Sequence, residues 1–236
     1  MTTRIPAWIK KVGLILIGFS ALALVLGRTV DSKKWIRSQL AVPKGPGGWL
    51  FALTMPMFHK VLYSPAAEFL QLRPDDDLVE VACGSGVFLK EHAAHVKRIA
   101  GLDMSDIQVG LARRRLRHQI SAGTAEIVRG DAVALPWEDN RFTAATCLGT
   151  LEFLSDPVAA LREMKRVLQP GGRIVVTCGI DENDEDCVKE TEWWGFPHPS
   201  EAESRKMVED AGFSLVSITY LDDDYPARFI QGVKPE

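Results

Sequence analysis

The chain has 236 residues, the length of one α/β domain of ordinary size with an additional segment. Apolar residues make up 46% and charged residues 25%, a balance that excludes a disordered chain. With 28 basic residues against 31 acidic ones and a net charge of -3, no strongly basic field is available to grip a phosphate backbone, which argues against a nucleic-acid substrate.

Four cysteines occur, Cys83, Cys147, Cys178 and Cys187, with no C-x-x-C pair and no His/Cys cluster at zinc spacing. The first three sit in or beside apolar runs and read as reduced, buried thiols.

Residues 12–27 (VGLILIGFSALALVLG) carry no charge. As a helix they would span about 24 Å, short of the roughly 30 Å hydrocarbon core. Arg4, Lys10 and Lys11 precede them and Arg28, Lys33, Lys34 and Arg37 follow, with Trp8 and Trp35 where interfacial aromatics belong. A cleaved signal peptide, with Ala21-Leu22-Ala23 as its small-x-small site, a spanning anchor and a shallow monotopic helix all fit this pattern. The membrane anchor is the favoured reading, with residues 1–30 as the anchor and the remainder of the chain facing the cytoplasm.

Pro43, Gly45, Pro46, Gly47 and Gly48 suggest a linker over residues 28–48. Residues 49–63 (WLFALTMPMFHKVLY) are apolar, aromatic and Met-rich, with Pro56 interrupting them. They read equally as a helix packed on the core or as a membrane-touching flap over a substrate site. Residues 31–64 are therefore assigned to linker and flap, and residues 65–236 to the catalytic domain.

From Leu72 strands and helices alternate. Strands are expected at 78–82, 98–102, 126–129, 144–148, 173–178, 214–220 and 228–233. Helices are expected at 87–95, from a Ser105 cap to about His118, at 156–168 closed by Gln169-Pro170-Gly171-Gly172, and at 200–211. Asp75, Asp76 and Asp77 read as a solvated turn. Alternation of this kind predicts a mainly parallel sheet covered on both faces.

Glu80-Val81-Ala82-Cys83-Gly84-Ser85-Gly86 lies where the first strand turns into a helix. Gly84 and Gly86 permit a tight turn and close approach to a ligand, beyond the carboxyl ends of the strands. The second strand ends at Asp103, 17 residues after Gly86, where a carboxylate can accept both hydroxyls of a ribose. After the third strand, Asp131 can accept from an adenine amino group while the N–H of Ala132 donates to a ring nitrogen. The three features in this order form a stronger signal than any one of them.

On these motifs the chain resembles the class I S-adenosylmethionine-dependent methyltransferases, most closely the ubiquinone/menaquinone-biosynthesis type. The segments that carry the likeness are Glu80 to Gly86, Gly101-Leu102-Asp103, Gly130-Asp131-Ala132 with Leu135-Pro136-Trp137 and Phe142, LREMKRVLQPGG at residues 161–172, and Gly232-Val233-Lys234-Pro235. The resemblance covers roughly residues 65–235. It implies a Rossmann-like α/β fold with a seven-stranded, mostly parallel sheet whose last strand is antiparallel, here with an added N-terminal apolar helix.

The resemblance further implies S-adenosylmethionine as the methyl donor, S-adenosylhomocysteine as product, and no metal. Glu80 and the backbone of Ala82, Cys83, Gly84, Ser85 and Gly86 would hold the methionine end. Asp103 would hold the ribose, with Met104 beside the adenine or packed in the core. Asp131 and Ala132 would read the adenine, and Leu148 and Gly149 would lie near the methyl.

The chain departs from the family at three places. Ala82 replaces the usual first glycine, Thr143 the usual Asp after Phe142, and Glu152-Phe153 stands where relatives carry His. No Asn/Asp-Pro-Pro-aromatic sequence follows the fourth strand, which argues against an adenine or glutamine amino group as target. Candidate bases are His59, Tyr63, Glu152 and His198. The acidic and then aromatic stretch over residues 181–199 is long for a connection and reads as a lid. A small lipophilic acceptor, such as a quinone precursor, a phospholipid amine or a thiol, suits an anchored enzyme with apolar flaps. Two rival readings are a tethered S-adenosylmethionine-binding protein without catalysis and a nicotinamide dehydrogenase; the latter would want a glycine where Leu89 stands.

Overall fold

The computed structural model describes residues 32–180, 198–221 and 227–236, with isolated positions between 181 and 197. The apolar segment at residues 12–27, the expected lid over most of 181–199, and Cys187 lie outside the described residues. Among the described residues no helix is long and apolar enough to cross a membrane.

Two helices, α1 (Ser32–Ala41) and α2 (Gly45–Leu70), precede the sheet. There follow β1 (Asp77–Val81), α3 (Val87–His92), β2 (Arg98–Asp103), α4 (Asp106–Arg115), α5 (Arg117–Ser121), β3 (Ala125–Arg129) and β4 (Phe142–Cys147). A 3₁₀ turn (Leu151–Phe153), α6 (Pro157–Val167), β5 (Leu168–Ile180), α7 (Glu201–Asp210), β6 (Ser214–Tyr220) and β7 (Ala227–Val233) complete the chain. The seven strands form one sheet in the order β3-β2-β1-β4-β5-β7-β6. The pairings from β3 to β5 are parallel, and β7 runs antiparallel to both of its neighbours. The strand pattern predicts the mainly parallel sheet, and the family resemblance implies its seven strands and the antiparallel β7.

The strands are apolar on both sides because both faces are covered. On one face Val79, Val81 and Val176 pack with Trp137, Leu161, Met164 and Phe213. On the other, Leu78, Val175 and Phe229 pack with Leu62, Leu70, Phe88 and Leu116. Helix starts follow the caps in the sequence. Ser105 Oγ accepts from the N–H of Gln108, Asp156 from that of Ala159 at 2.9 Å, and Ser200 forms a capping box with Glu203.

Four expectations are corrected. The first is the linker expected over residues 28–48, where the described part holds one helix and the start of a second; residues 49–63 take the helical one of their two readings. Pro46 occupies the first turn, where its missing N–H costs nothing. Gly47 and Gly48 are small for packing: a Cβ on Gly47 would lie 2.7 Å from the Trp35 ring, and one on Gly48 2.8 Å from the Pro43 backbone. Pro56 and Pro65 sit within the helix, whose buried side (Phe51, Ala52, Leu62, Ala66 and Leu70) outweighs the lost backbone bonds. α2 is thus a covering helix of the sheet.

The second is the solvated reading of Asp76 and Asp77; Asp75 is exposed, as expected. Asp76 is 2% exposed and accepts from Arg73 N–H at 2.7 Å, Thr143 Oγ1 at 2.7 Å and Arg173 Nη2 at 2.6 Å. Asp77 pairs with Arg98 through both its oxygens, at 2.9 and 2.7 Å. Thr143, where the family usually has Asp, also accepts from the Asp77 N–H at 3.0 Å, so a hydroxyl here bridges two aspartates that a third carboxylate would repel.

The third is the helix from Ser105 to His118, which breaks at Leu116 into α4 and α5. The fourth is the Gln169–Gly172 turn. Helix α6 ends at Val167 and Leu168 is already extended, so the turn belongs to β5. It is tied to the C-terminus, with Gly171 N–H donating to Lys234 O and Lys234 N–H to Gly172 O.

Candidate functional site

Beyond the carboxyl ends of β1, β2 and β4 lies a cavity of about 260 Å³, with α2 and the elbow between α1 and α2 forming part of its wall. The turn after β1 shapes its floor. Ala82 adopts φ +57°, a left-handed conformation that costs an alanine about 1–2 kcal/mol and a glycine almost nothing. Gly84 and Gly86 have φ +51° and +69°. A Cβ on Gly86 would meet Ala112 at 3.1 Å and Leu116 at 3.3 Å, so its smallness serves helix packing.

Asp103, at the end of β2, ties this floor together. One carboxylate oxygen accepts the N–H of Gly84 at 2.9 Å and the other that of Ser105 at 2.8 Å. Burial raises its pKa, while the N–H groups of Ser105, Gly84 and Met104 oppose the rise. Those three donors do not exhaust the roughly four lone-pair positions of a carboxylate, so it can accept from a further donor. Ser105 extends the connection outward: its hydroxyl donates to Pro43 O at 2.8 Å, pinning the α1–α2 elbow beside the cavity.

Glu80 faces the cavity from β1 and is 4% exposed. Burial, reinforced by the Asp103 charge, pushes its carboxyl well above the usual range, and its Oε2 has no partner. The same influences push the Cys83 thiol upward. Ser85 Oγ and Gln108 Oε1 are likewise buried without partners on this cavity. Gln108 Nε2 lies 3.7 Å from Met55 Sδ, so α2 reaches over the glycine turn.

Of the expected cofactor residues, Glu80, Ala82, Cys83, Gly84, Asp103, Met104, Asp131 and Leu148 line the one cavity. Met104 is 45% exposed, which sets aside its reading as core. Asp131 is exposed at the rim, its Oδ1 accepting from Val133 N–H at 3.2 Å. Gly86, Ala132 and Gly149 do not line it. Ala132 packs in the core, and Gly149 (φ +63°) backs His59, whose ring a Cβ would meet at 3.1–3.3 Å.

The four candidate bases separate. His59 and Tyr63, both on α2, line the cavity. Burial pushes His59 down to about 4, so it is uncharged at neutral pH. Glu152 and His198 do not line the cavity. Glu152 lies toward the ends of β4 and β5, where burial pushes it up to about 7 against the N–H of Gly179. His198 stands ahead of α7, near Glu203. The sequence singles out the backbone at Ser85 but not its hydroxyl, and it does not single out Gln108, Met55 or the elbow residues. A glutamine in the first turn of a Ser-capped helix looks like any surface residue, and the elbow reads as a linker.

Among the described residues, the cavity lining contains three carboxylates (Glu80, Asp103, Asp131) and no lysine or arginine. Such a lining favours a cationic ligand over a pyrophosphate dianion.

Residues 79–176 match the family described as "Methyltransferase domain". The chloroplastic 2-phytyl-1,4-beta-naphthoquinone methyltransferase of Arabidopsis thaliana is 31% identical over 123 residues, 50% of this chain and 47% of that protein. A demethylmenaquinone methyltransferase of Staphylococcus saprophyticus is also 31% identical, over 50% of each chain. The chain thus spans about half the length of these relatives. Among solved structures, the complex between the Haloferax volcanii Trm112 methyltransferase activator and a methyltransferase gives a TM-score of 0.68 at 20% identity, covering 80% of this chain and 97% of that one. The matched stretch takes in the glycine turn, the strand ends and the acids of the cavity, on a fold shared with that solved structure.

Proposed function

We propose that the protein transfers a methyl group from S-adenosylmethionine to a small lipophilic acceptor. The observation that carries the reading is the cavity formed around a left-handed glycine turn, whose described lining holds three acids, no lysine or arginine, and three buried polar atoms without a hydrogen-bond partner. S-adenosylmethionine is cationic at its sulfonium and at its ammonium. The cavity's acids suit both, and Glu80 Oε2, Ser85 Oγ and Gln108 Oε1 offer acceptors that the protein itself leaves unused. Asp103 would hold the ribose through its remaining lone-pair capacity, and Asp131 the adenine amino group.

S-adenosylmethionine supplies an already activated methyl group, so the chain's work is to position the acceptor and exclude water. The α2 helix does both, closing the cavity with Met55, Pro56, His59 and Tyr63. An uncharged His59 beside a cationic ligand adds no repulsion and can accept a hydrogen bond from an acceptor hydroxyl. The lipophilic acceptor is supported by the apolar share of the wall (Leu40, Val42, Leu148, Phe153, Leu154) and by relatives named as naphthoquinone and menaquinone methyltransferases.

Calorimetric titration with S-adenosylhomocysteine tests the donor site, with NADH as the contrast. Micromolar binding of the first and none of the second is expected. Heat from NADH alone would replace the reading with a dehydrogenase. Transfer of label from methyl-tritiated donor into solvent-extractable quinols, amines or thiols then tests the acceptor class, and binding without any transfer would leave a donor-binding protein.

A further inference from the structure

Among the described residues, five of the nine exposed large apolar side chains lie on α2: Trp49, Leu50, Leu53, Met57 and Val61, each 45–72% exposed. At helical spacing they form one stripe about 18 Å long. The opposite side of the helix carries Met55, His59 and Tyr63, which line the cavity. One helix therefore shows an unpartnered apolar face outward and the wall of the site inward.

Charge points to what covers that face. Residues 32–67 contain no Asp or Glu and carry Lys33, Lys34, Arg37, Lys44 and Lys60, in a chain of net charge -3. Lys34, Lys44 and Lys60 are exposed, and Lys60 makes only a loose pair with Glu91 at 3.8 Å. An apolar stripe flanked by cations and free of acids matches an anionic phospholipid bilayer, which accepts both parts at once. The uncharged sequence at residues 12–27 lies a few residues ahead of α1 and would bring the same bilayer within reach.

We propose that the outer face of α2 docks on an anionic membrane, with Leu53 and Met57 in the acyl boundary and the lysines at the headgroups, so that a lipophilic acceptor passes from the bilayer into the cavity behind the same helix. The passage rests on the acceptor class proposed above; the docking does not need it.

The test uses the full chain carrying Met57→Cys in a Cys187→Ser background, labelled with an environment-sensitive nitrobenzoxadiazole, since the other three thiols are buried. A second protein carries the label at Val216, exposed on the edge strand β6. On vesicles containing phosphatidylglycerol, the label at 57 is expected to shift blue and to be quenched by spin-labelled lipid, while the label at 216 stays aqueous. Combining Lys34→Ala, Lys44→Ala and Lys60→Ala should weaken that signal's lipid dependence on the order of 100-fold.

Vesicle-bound protein whose label at 57 stays aqueous overturns the proposal, because the N-terminal segment then tethers without docking. A label already shielded without vesicles also overturns it: insensitivity to dilution would mean the chain's own residues cover the face, and sensitivity a second copy. An equal response on purely zwitterionic vesicles removes the charge argument and overturns it too. S-adenosylhomocysteine titration of the same labelled protein separates the two readings, since loss of donor binding with docking intact sinks only methyl transfer.

Discussion

Replacing Asp76 with alanine removes one acceptor from three donors at once. Arg173 Nη2, Thr143 Oγ1 and Arg73 N–H all end on this carboxylate within 2.7 Å, and Asp76 is 2% exposed. Breaking a buried pair by deleting one partner costs about 3–5 kcal/mol, since the remaining charge stays desolvated. Arg173 keeps one bond, from Nε to Leu70 O at 3.0 Å, which places the expected loss near the middle of that range, at about 4 kcal/mol. Urea unfolding followed by circular dichroism should show the midpoint falling by roughly 1.5 M at unchanged slope. The exposed neighbour Asp75→Ala should change stability by about 0.5 kcal/mol or less. In the double variant with Arg173→Met, the cost should be smaller than the sum of the single ones by about 2 kcal/mol. A loss under about 1 kcal/mol for Asp76→Ala, or strict additivity with Arg173→Met, would refute the buried network as the tie between β1, β4 and β5.

Three further outcomes follow from the site. Ala82→Gly should raise stability by about 1 kcal/mol in thermal unfolding by relieving the φ of +57°; a loss of stability would contradict a strained turn. Asp103→Asn keeps one acceptor but turns an amide NH₂ toward Gly84 or Ser105 N–H, so S-adenosylhomocysteine should bind about 10- to 150-fold more weakly by calorimetry; wild-type affinity would remove Asp103 from the ribose role. Glu152 ionises near 7 when folded and near 4.5 when unfolded, so the folded state keeps a proton that the unfolded state has lost. Stability should therefore fall as pH rises from about 4.5 to 7, by on the order of 3 kcal/mol, and Glu152→Gln should flatten that slope; an unchanged pH profile would place Glu152 in water.

The elements that sequence reasoning recovers best are those with local causes. The strands carry period and burial together, Ser105, Asp156 and Ser200 announce their helices, and Glu80, Gly84 and Asp103 fall at strand ends where a parallel sheet holds its ligand. What escapes it depends on neighbours distant in sequence. Gly47 and Gly48 look like breakers until Trp35 and Pro43 are found against them. Asp76 looks solvated until Arg173, 97 residues away, arrives beside it. Glu152 and Phe153 are adjacent, yet only Phe153 lines the cavity, because a 3₁₀ turn sends successive side chains in different directions. Gln108 becomes a site residue only through Met55 and the glycine turn it faces.

The order of strands has a consequence for synthesis. β7, made after the other six strands of the sheet, lies between β5 and β6, and among the described residues β6 has no other partner. Until residues 227–233 have left the ribosome, the far edge of β5 and the whole of β6 present unpaired N–H and C=O groups. Arg228, fully buried in the finished protein and donating to Pro199 O and Ser204 Oγ, also enters only with that strand. Without β7, the edge of β5 and both edges of β6 stand open beside the outer edge of β3, whereas with it the described sheet has only the outer edges of β3 and β6.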